Sequence, residues 1–402
     1  MPEAVIVATA RSPIGRAFKG SLVDMRADDL AAQMVRAALS QVPQLPVSEI
    51  DDLMLGCGLP GGEQGFNMAR VVSILAGLPG VGGTTVNRYC ASSLQTMRMA
   101  AHAIRAGEGD AFIAAGVESV SSFVKGNSDT LPDTANHIFD DAAARSTAIA
   151  VAGDTWTSSD GLPDVYIAMG QTAENVAGIE GVSRAEQDQF ALESQRNAAT
   201  AITGGFFEHD ITPVTLPGGR IVSIDDGPRP DTSLEALRAL TPVFRYGGSV
   251  TAGNSCPLND GAAAIVVMSD IRARELGITP LARIVSTAVT ALDPEIMGLG
   301  PVEACRKALA RAGMTIGDVD LVEINEAFAA QVIPSMRHLG IDRAKLNVHG
   351  GAIALGHPFG QTGARIMTTL LHSLELRGGS IGLEAMCVGG GQGMAMVVER
   401  LS

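Results

Sequence analysis

The chain has 402 residues, 46% hydrophobic and 18% charged, which at about 150 residues per domain allows two or three domains with a large core and excludes disorder. Basic residues number 29 and acidic residues 43, a net charge of −14. That excludes nonspecific binding to nucleic acid or anionic membrane, though not an anionic small ligand held by a few local donors.

AVIVATA (4–10) is a short apolar strand with no basic start, long apolar region or cleavage site around it. The last residues, VVERLS, are not a peroxisomal address, and no stretch reaches the ~20 apolar residues of a membrane span. The expectation is a cytoplasmic protein without membrane insertion. Asp28 and Asp29 then open a helix with Leu30, Met34, Ala37 and Ala38 on one face. DLMLG (52–56) reads as a strand, MARVVSILAGL (68–78) as a helix ending near Gly77, and TTV (84–86) as a short strand. A long helix is expected from Cys90 to about Gly107, and a strand over DAFIAAG (110–116). This alternation predicts right-handed crossovers and a mostly parallel sheet covered on both faces.

Residues 121–250 break the rhythm. KGNSDTLPDTAN and VAGDTWTSSDGLPD are polar and turn-rich, while Ser183 and Glu186 form a capping box for a helix running to about Ile202. The segment reads as an inserted subdomain, after which AAAIVVMSD (262–270) resumes the sheet pattern. A faint repeat follows: VSEIDDLMLG (47–56) matches IGDVDLVEIN (316–325), and 84–116 has the layout of 346–389. If the repeat is real, the turns at Cys90 and His357 are pseudo-symmetry mates that meet between two halves.

Cys57, Cys90, Cys256, Cys305 and Cys387 are widely spread with no CxxC pair, so neither a disulfide framework nor a structural zinc site is expected. The histidines and acids show no ligand spacing, so no metal is expected either. Cys90 stands at the expected start of a helix, where free N–H groups and the dipole lower a thiol pKa from ~8.5 by roughly a unit or more. An inert buried thiol fits that one feature equally well. Cys57 and Cys305 read as core. Cys387 runs into CVGGGQG, where glycines let N–H groups approach an anion or oxyanion, unless the segment is a plain hairpin. His357, in GGAIALGHPFGQTGAR, sits on a tight turn and is the histidine expected to act as a base. Asn325, directly after VDLVEI, is a preferred helix N-cap with Glu326 in the first turn, and it can also face a strand-end crevice.

ARSPIG (10–15), VNRYCASSLQ (86–95), MGQTAENVA (169–177), TAGNSCPLNDGAAA (251–264), NEAFAAQ (325–331), GGAIALGHPFGQTGAR (350–365) and CVGGGQG (387–393) together resemble the thiolase family. They occur in family order along nearly the whole chain. The resemblance implies an α/β thiolase fold, with two duplicated βαβαβαββ halves in a five-layer αβαβα core and an inserted loop subdomain. The halves would be 1–120 with 251–270, and 271–402; segment 121–250 would serve CoA binding and oligomer contacts.

By the same resemblance, Cys90 is the acyl-accepting nucleophile, activated by His357, and Cys387 moves the proton at the α-carbon of the acetyl unit. Asn325 would hold a water that forms one oxyanion hole with His357; the N–H groups of Cys90 and Gly389 would form the second. The implied reaction is thiolysis of 3-ketoacyl-CoA by CoA to acetyl-CoA and a shortened acyl-CoA. Coenzyme A is then a co-substrate, no cofactor is permanently bound, and a homodimer or homotetramer is expected. Arg229 resembles the position that meets the nucleotide, and Met169, Ala252, Gly253 and Phe328 match the pantetheine and acyl tunnel. Cys256 stands where the family usually has Ser, a stronger hydrogen-bond partner. Ala168 replaces a His that short-chain biosynthetic members carry, and NRYCASSLQ is more similar to degradative members. The expectation is therefore a degradative enzyme for medium, long or bulky acyl chains. The alternatives are a short-chain acetoacetyl-CoA thiolase and, less well supported, a ketoacyl-synthase-type condensing enzyme, which lacks the second thiol.

Overall fold

In the computed structural model, which describes residues 2–126, 129 and 131–402, two similar half-sheets join edge to edge. The first half contains β1 (Ala4–Arg11), α1 (Ala27–Ser40), β2 (Asp52–Gly56), α2 (Met68–Leu75), β3 (Gly82–Val86), α3 (Ser92–Ala106) and β4 (Ala111–Ser119). An insertion carrying α4 (Asp140–Ala152), α5 (Met169–Ile179) and α6 (Arg184–Thr203) precedes β5 (Asn259–Ser269). The second half contains β6 (Ala282–Ala291), α7 (Gly300–Ala312), β7 (Leu321–Ile324), α8 (Ala329–Leu339), α9 (Thr362–Arg377), β8 (Ile381–Val388) and β9 (Gln392–Arg400). The predicted capping box at Ser183 and Glu186 opens α6.

The strand order is β3-β2-β4-β5-β1 and then β6-β9-β8-β7, with the seam between Val5–Ile6 and Ala282–Arg283. The halves repeat one plan. β2 lies parallel to β4 as β7 lies parallel to β8. β5 is antiparallel to both its neighbours, β1 and β4, and β9 is antiparallel to β6 and β8. The mostly parallel sheet expected from the sequence is thus corrected to a mixed one. The last strand of each half arrives without a crossover helix, β9 through a glycine hairpin and β5 after the insertion, so each is free to run opposite to its neighbours.

The inner strands bury both faces, whereas the edge strand β3 does not, and successive residues enter different layers. Val5 and Val7 of β1 pack with Leu30 and Met34 of α1 and Val72 of α2. Ala4 and Ile6 instead pack with Leu94 and Met97 of α3 and Met367 and Leu370 of α9. In β9, Ala395 and Val397 join Cys305 of α7 and Val332 of α8, while Met394 and Met396 turn to the central helices. The layers are therefore α1/α2, half-sheet, α3/α9, half-sheet and α7/α8. Burial on both faces is why β4 and β5 read as continuous apolar runs rather than alternating ones.

The central helices bring two distant turns together. A Cβ on Gly363 of α9 would lie 2.4 Å from the backbone nitrogen of Leu94 of α3, so only glycine permits that approach. Ser93 Oγ accepts the Ala364 N–H at 2.9 Å across the same contact. The turn before α3 carries Cys90 and the turn before α9 carries His357, as the repeat predicted.

Candidate active site

Cys90 lies in a short 3₁₀ turn, Tyr89–Ala91, between β3 and α3, so it precedes the helix rather than opening it. Tyr89 takes a left-handed φ of 43°, an unfavourable conformation for a bulky residue and one that clusters at functional turns. The turn is held by Ser92, whose hydroxyl donates to the Tyr89 carbonyl at 2.6 Å and accepts the Arg88 N–H at 2.9 Å. The expected lowering of the Cys90 pKa is opposed by its surroundings. Burial and the nearby Glu118 carboxylate push the thiol up to about 12, against the pull of its own N–H and the Gly389 N–H. Desolvation of the charged form outweighs the local dipole here. Gly389 lies against the same turn, where a Cβ on it would lie 3.3 Å from the Tyr89 ring.

Gly389 follows β8 in the hairpin that returns as β9. Gly390 and Gly391 take φ values of 75° and 76° there, and a Cβ on Gly391 would lie 2.2 Å from the Leu292 carbonyl oxygen. Cys387, near the end of β8, is fully buried. Burial raises its pKa well above the usual thiol range, with Cys90 and Cys256 contributing further, so the three sulfurs lie near one another. Cys57 and Cys305 are buried in the core as expected.

His357 is buried, and its Nδ1 lies 2.7 Å from Thr362 Oγ1. The Thr362 hydroxyl donates to the Pro358 carbonyl at 2.7 Å, so it must accept from the imidazole. Nδ1 therefore carries the proton and Nε2 keeps its lone pair. Burial, with Arg365 adding to it, pushes His357 down to about 3, so the ring is neutral at physiological pH. Asn325 Nδ2 lies 3.2 Å from that Nε2, and Asn325 Oδ1 is buried without a hydrogen-bond partner in the protein. The expected N-cap role is corrected: α8 begins at Ala329, and its N-cap residue is Phe328. Glu326 lies outside that helix too. It is buried and accepts from Ser194, Asn347 and the Ile353 N–H.

A cavity of about 300 Å³ is lined by Arg229, Ala252 and Gly253, as expected, and also by Arg16, Ser255 and Leu237. Cys256 sits between two lining residues, Ser255 and Pro257, and its N–H donates to Ala327 at 3.0 Å. Met169 opens α5, and its sulfur would lie 3.7 Å from a Cβ on Gly389. Phe328 is buried edge-on against Phe244 at 6.3 Å. Of the site residues named from the sequence, Cys90, Gly389, Cys387, Cys256 and Met169 come together around the thiols, and Asn325 pairs with His357. Arg229, Ala252 and Gly253 form the neighbouring cavity. Sequence reasoning missed Arg16, Thr362, Gln392 and Glu118. Of these, only Glu118 left a signal, as a lone carboxylate at the end of an apolar strand. Among the described residues no three His, Cys, Asp or Glu side chains are arranged to hold a metal ion, and no helix is long and apolar enough to cross a membrane.

The family model described as "Thiolase, N-terminal domain" matches residues 4–271, and "Thiolase, C-terminal domain" matches 278–400. The chain is 44% identical over 410 residues to the 3-oxoadipyl-CoA/3-oxo-5,6-dehydrosuberyl-CoA thiolase of Escherichia coli K12, covering 100% of both chains. It is 44% identical to the 3-ketoacyl-CoA thiolase of Bacillus subtilis, covering 99% of this chain and 100% of that one. The crystal structure of human mitochondrial 3-ketoacyl-CoA thiolase superimposes with a TM-score of 0.87 at 35% identity, covering 100% of this chain and 99% of that one.

Proposed function

Because the chain belongs to the thiolase family and is an acyltransferase, we propose that it cleaves 3-ketoacyl-CoA by a ping-pong route through an acyl-Cys90 intermediate. The observation that carries this reading is the packing of the Gly389 turn on the Cys90 turn, where a Cβ on Gly389 would lie 3.3 Å from the Tyr89 ring. A donor pair at a nucleophile is what a tetrahedral oxyanion formed there requires.

His357 Nε2 takes the proton of Cys90, and the thiolate attacks the 3-keto carbon. The oxyanion is held by the N–H groups of Cys90 and Gly389. The Cα–Cβ bond breaks, leaving the acyl group on Cys90 and negative charge on the acetyl-CoA enolate. Protonated His357, with a water accepted by the free Asn325 Oδ1, stabilises that enolate oxygen, and the Cys387 thiol protonates its carbon. The proton on His357 replaces the one Cys387 gave. Coenzyme A then passes its thiol proton through His357 to Cys90 as it takes the acyl group.

CoA enters as co-substrate rather than as a resident cofactor. Its phosphates meet Arg229 and Arg16, and its pantetheine follows Ala252, Gly253 and Cys256 toward Met169 and Phe328. In this reading, 1–120 with 251–270 and 271–402 are the two catalytic halves, and 121–250 supplies CoA and oligomer contacts in a cytoplasmic enzyme. A homodimer or homotetramer fits the unpaired outer edge of β3 and the exposed Phe66, Val71, Ile74 and Leu75 beside it. The acyl chain is medium, long or bulky, with Ala168 leaving room ahead of Met169.

The test is mass spectrometry of enzyme mixed with a 3-ketoacyl-CoA, beside Cys90→Ala. An acyl adduct present in the wild type and absent from the variant supports the reading, and an adduct persisting in the variant moves the nucleophile elsewhere. A series from acetoacetyl-CoA to long and polycyclic chains should show kcat/KM rising with size. A preference for acetoacetyl-CoA would overturn the chain-length assignment alone.

A further inference from the structure

Glu118, at the carboxyl end of β4, is buried and plays no part in the steps above. Its Oε2 accepts the Gly58 N–H at 2.7 Å and the Gly360 N–H at 2.8 Å, and its Oε1 accepts the Leu59 N–H at 3.1 Å. The Cys57 thiol lies 3.8 Å from Oε1. Gly58 and Leu59 follow β2 in the first half, whereas Gly360 belongs to the His357 turn in the second.

The contact between those two segments is tight. A Cβ on Gly360 would lie 2.6 Å from the Gly56 carbonyl oxygen, and one on Gly58 would lie 2.8 Å from Phe359 Cβ. The Phe359 ring stands edge-on to His357 with centroids 5.1 Å apart. Through Gly360 and Phe359, the carboxylate therefore holds the turn that orients the base.

We propose that Glu118 is a positioning residue for acyl transfer: its carboxylate, by binding Gly58, Leu59 and Gly360 together, fixes the His357 turn relative to the Cys90 turn. The inference rests on reading this site as the acyl-transfer centre. An ionised carboxylate is acceptor-only and matches three converging N–H groups. Protonation by solvent would set an O–H against one of those N–H groups and loosen the clamp.

Burial pushes the Glu118 pKa up to about 7, with the N–H groups pulling it down, so the clamp loosens near neutrality. The titratable groups that reach it are Cys57, and Cys90 on the turn after β3; His357 lies beyond Phe359, and Asp260, opposite Ser119 on β5, points to the other face of the sheet. Cys90 at about 12 and His357 at about 3 titrate far from this range. Burial raises Cys57 well above the thiol range. Burial also raises Asp260, which is held by the Ser121 N–H and hydroxyl.

The test is the pH profile of thiolysis in wild-type enzyme and Glu118→Gln, with acylation of Cys90 followed in the same samples. Wild-type kcat should fall toward acid on a limb near pH 7, and E118Q should lower alkaline-side kcat by about tenfold or more and abolish that limb. KM for CoA should stay within about twofold, since the CoA cavity is untouched. A limb kept at the same pH in E118Q, or wild-type kcat in that variant, overturns the role of Glu118. Absence of acyl-Cys90 in the wild type overturns the reading of the site instead. If E118Q does not fold, hydrogen exchange of wild-type enzyme on either side of about pH 7 decides. Protection of the Gly58, Leu59 and Gly360 amides, corrected for intrinsic rates, should drop on the acid side, and unchanged protection overturns the proposal.

Discussion

Arg88 Nη1 donates to Gln392 Oε1 at 2.7 Å across a sequence separation of 304 residues, joining the turn that carries Cys90 to the hairpin that carries Cys387. Gln392 Nε2 donates in turn to the Gly389 carbonyl at 3.3 Å, and Arg88 Nε donates to Gln95 at 3.0 Å. The pair thus ties the Gly389 turn to the Cys90 turn. Hydrogen bonds to a charged group contribute ~1.5–3 kcal/mol. Gln392→Ala or Arg88→Met should therefore slow acylation of Cys90 by about ten- to a hundredfold, with KM for CoA nearly unchanged. The double variant should be no slower than the worse single one, because both act through one bridge. Fully additive losses in rapid-quench acylation would mean that the two residues act separately.

Burial disfavours a thiolate–imidazolium pair in the free enzyme at neutral pH. Cys90 is raised to about 12 and His357 lowered to about 3, both chiefly by burial. Proton transfer must therefore accompany attack on the substrate. Alkylation of Cys90 by iodoacetamide should be slow at neutrality and still rising with pH on the alkaline side. A plateau below about pH 8, as in cysteines activated before substrate arrives, would show a preformed thiolate.

Much of the site was legible because reactive side chains at glycine-rich or strand-end turns have few structural reasons to be there. Cys90, His357 and Cys387 announce themselves in this way. Strand positions were legible because β1, β4 and β5 are apolar on both faces. The direction of β9 was missed although a glycine hairpin joins it to β8, and that of β5 was not legible, since its partners β1 and β4 lie far upstream in the chain. The Cys90 pKa was misjudged for the same reason: a local helix dipole is visible in sequence, whereas burial by the second half is not. Asn325 looked like a cap because its residue type fits one, but Glu326, Ala327 and Phe328 intervene before α8 begins. Thr362 and Gln392 act through hydrogen bonds that no periodicity encodes.

Cys387 is buried and its pKa lies well above the thiol range, chiefly through burial. It is therefore a proton donor in the resting site, matched to quenching a carbanion. Cys387→Ala should block exchange of the α-protons of acetyl-CoA with deuterated water while still allowing Cys90 to be acylated. Proton NMR of acetyl-CoA beside intact-mass analysis separates the two events. Exchange at the wild-type rate in that variant would remove Cys387 from its role.

Arg11, in the ARSPIG segment, is fully buried and answers a different question, that of stability. Its Nε meets Asp210 at 2.7 Å and its Nη1 meets Asp225 at 2.6 Å. Asp225 also accepts the Ile14 N–H at 2.8 Å, and His372 lies 3.0 Å from Asp210. Burial would raise the Asp210 pKa, but Arg11 and His372 outweigh it and hold the carboxylate down at about 2. Removing one partner of a buried ion pair strands the other, at a cost of ~3–5 kcal/mol. Asp210→Asn should therefore lower the urea midpoint clearly at neutral pH. Because the folded pKa lies below the unfolded value of ~3.9, the wild-type advantage is fully present above that value and shrinks as pH falls through about 2. Equal midpoints for wild type and D210N at neutral pH would mean that Asp225 alone satisfies Arg11, and that the Asp210 contact adds nothing to the fold.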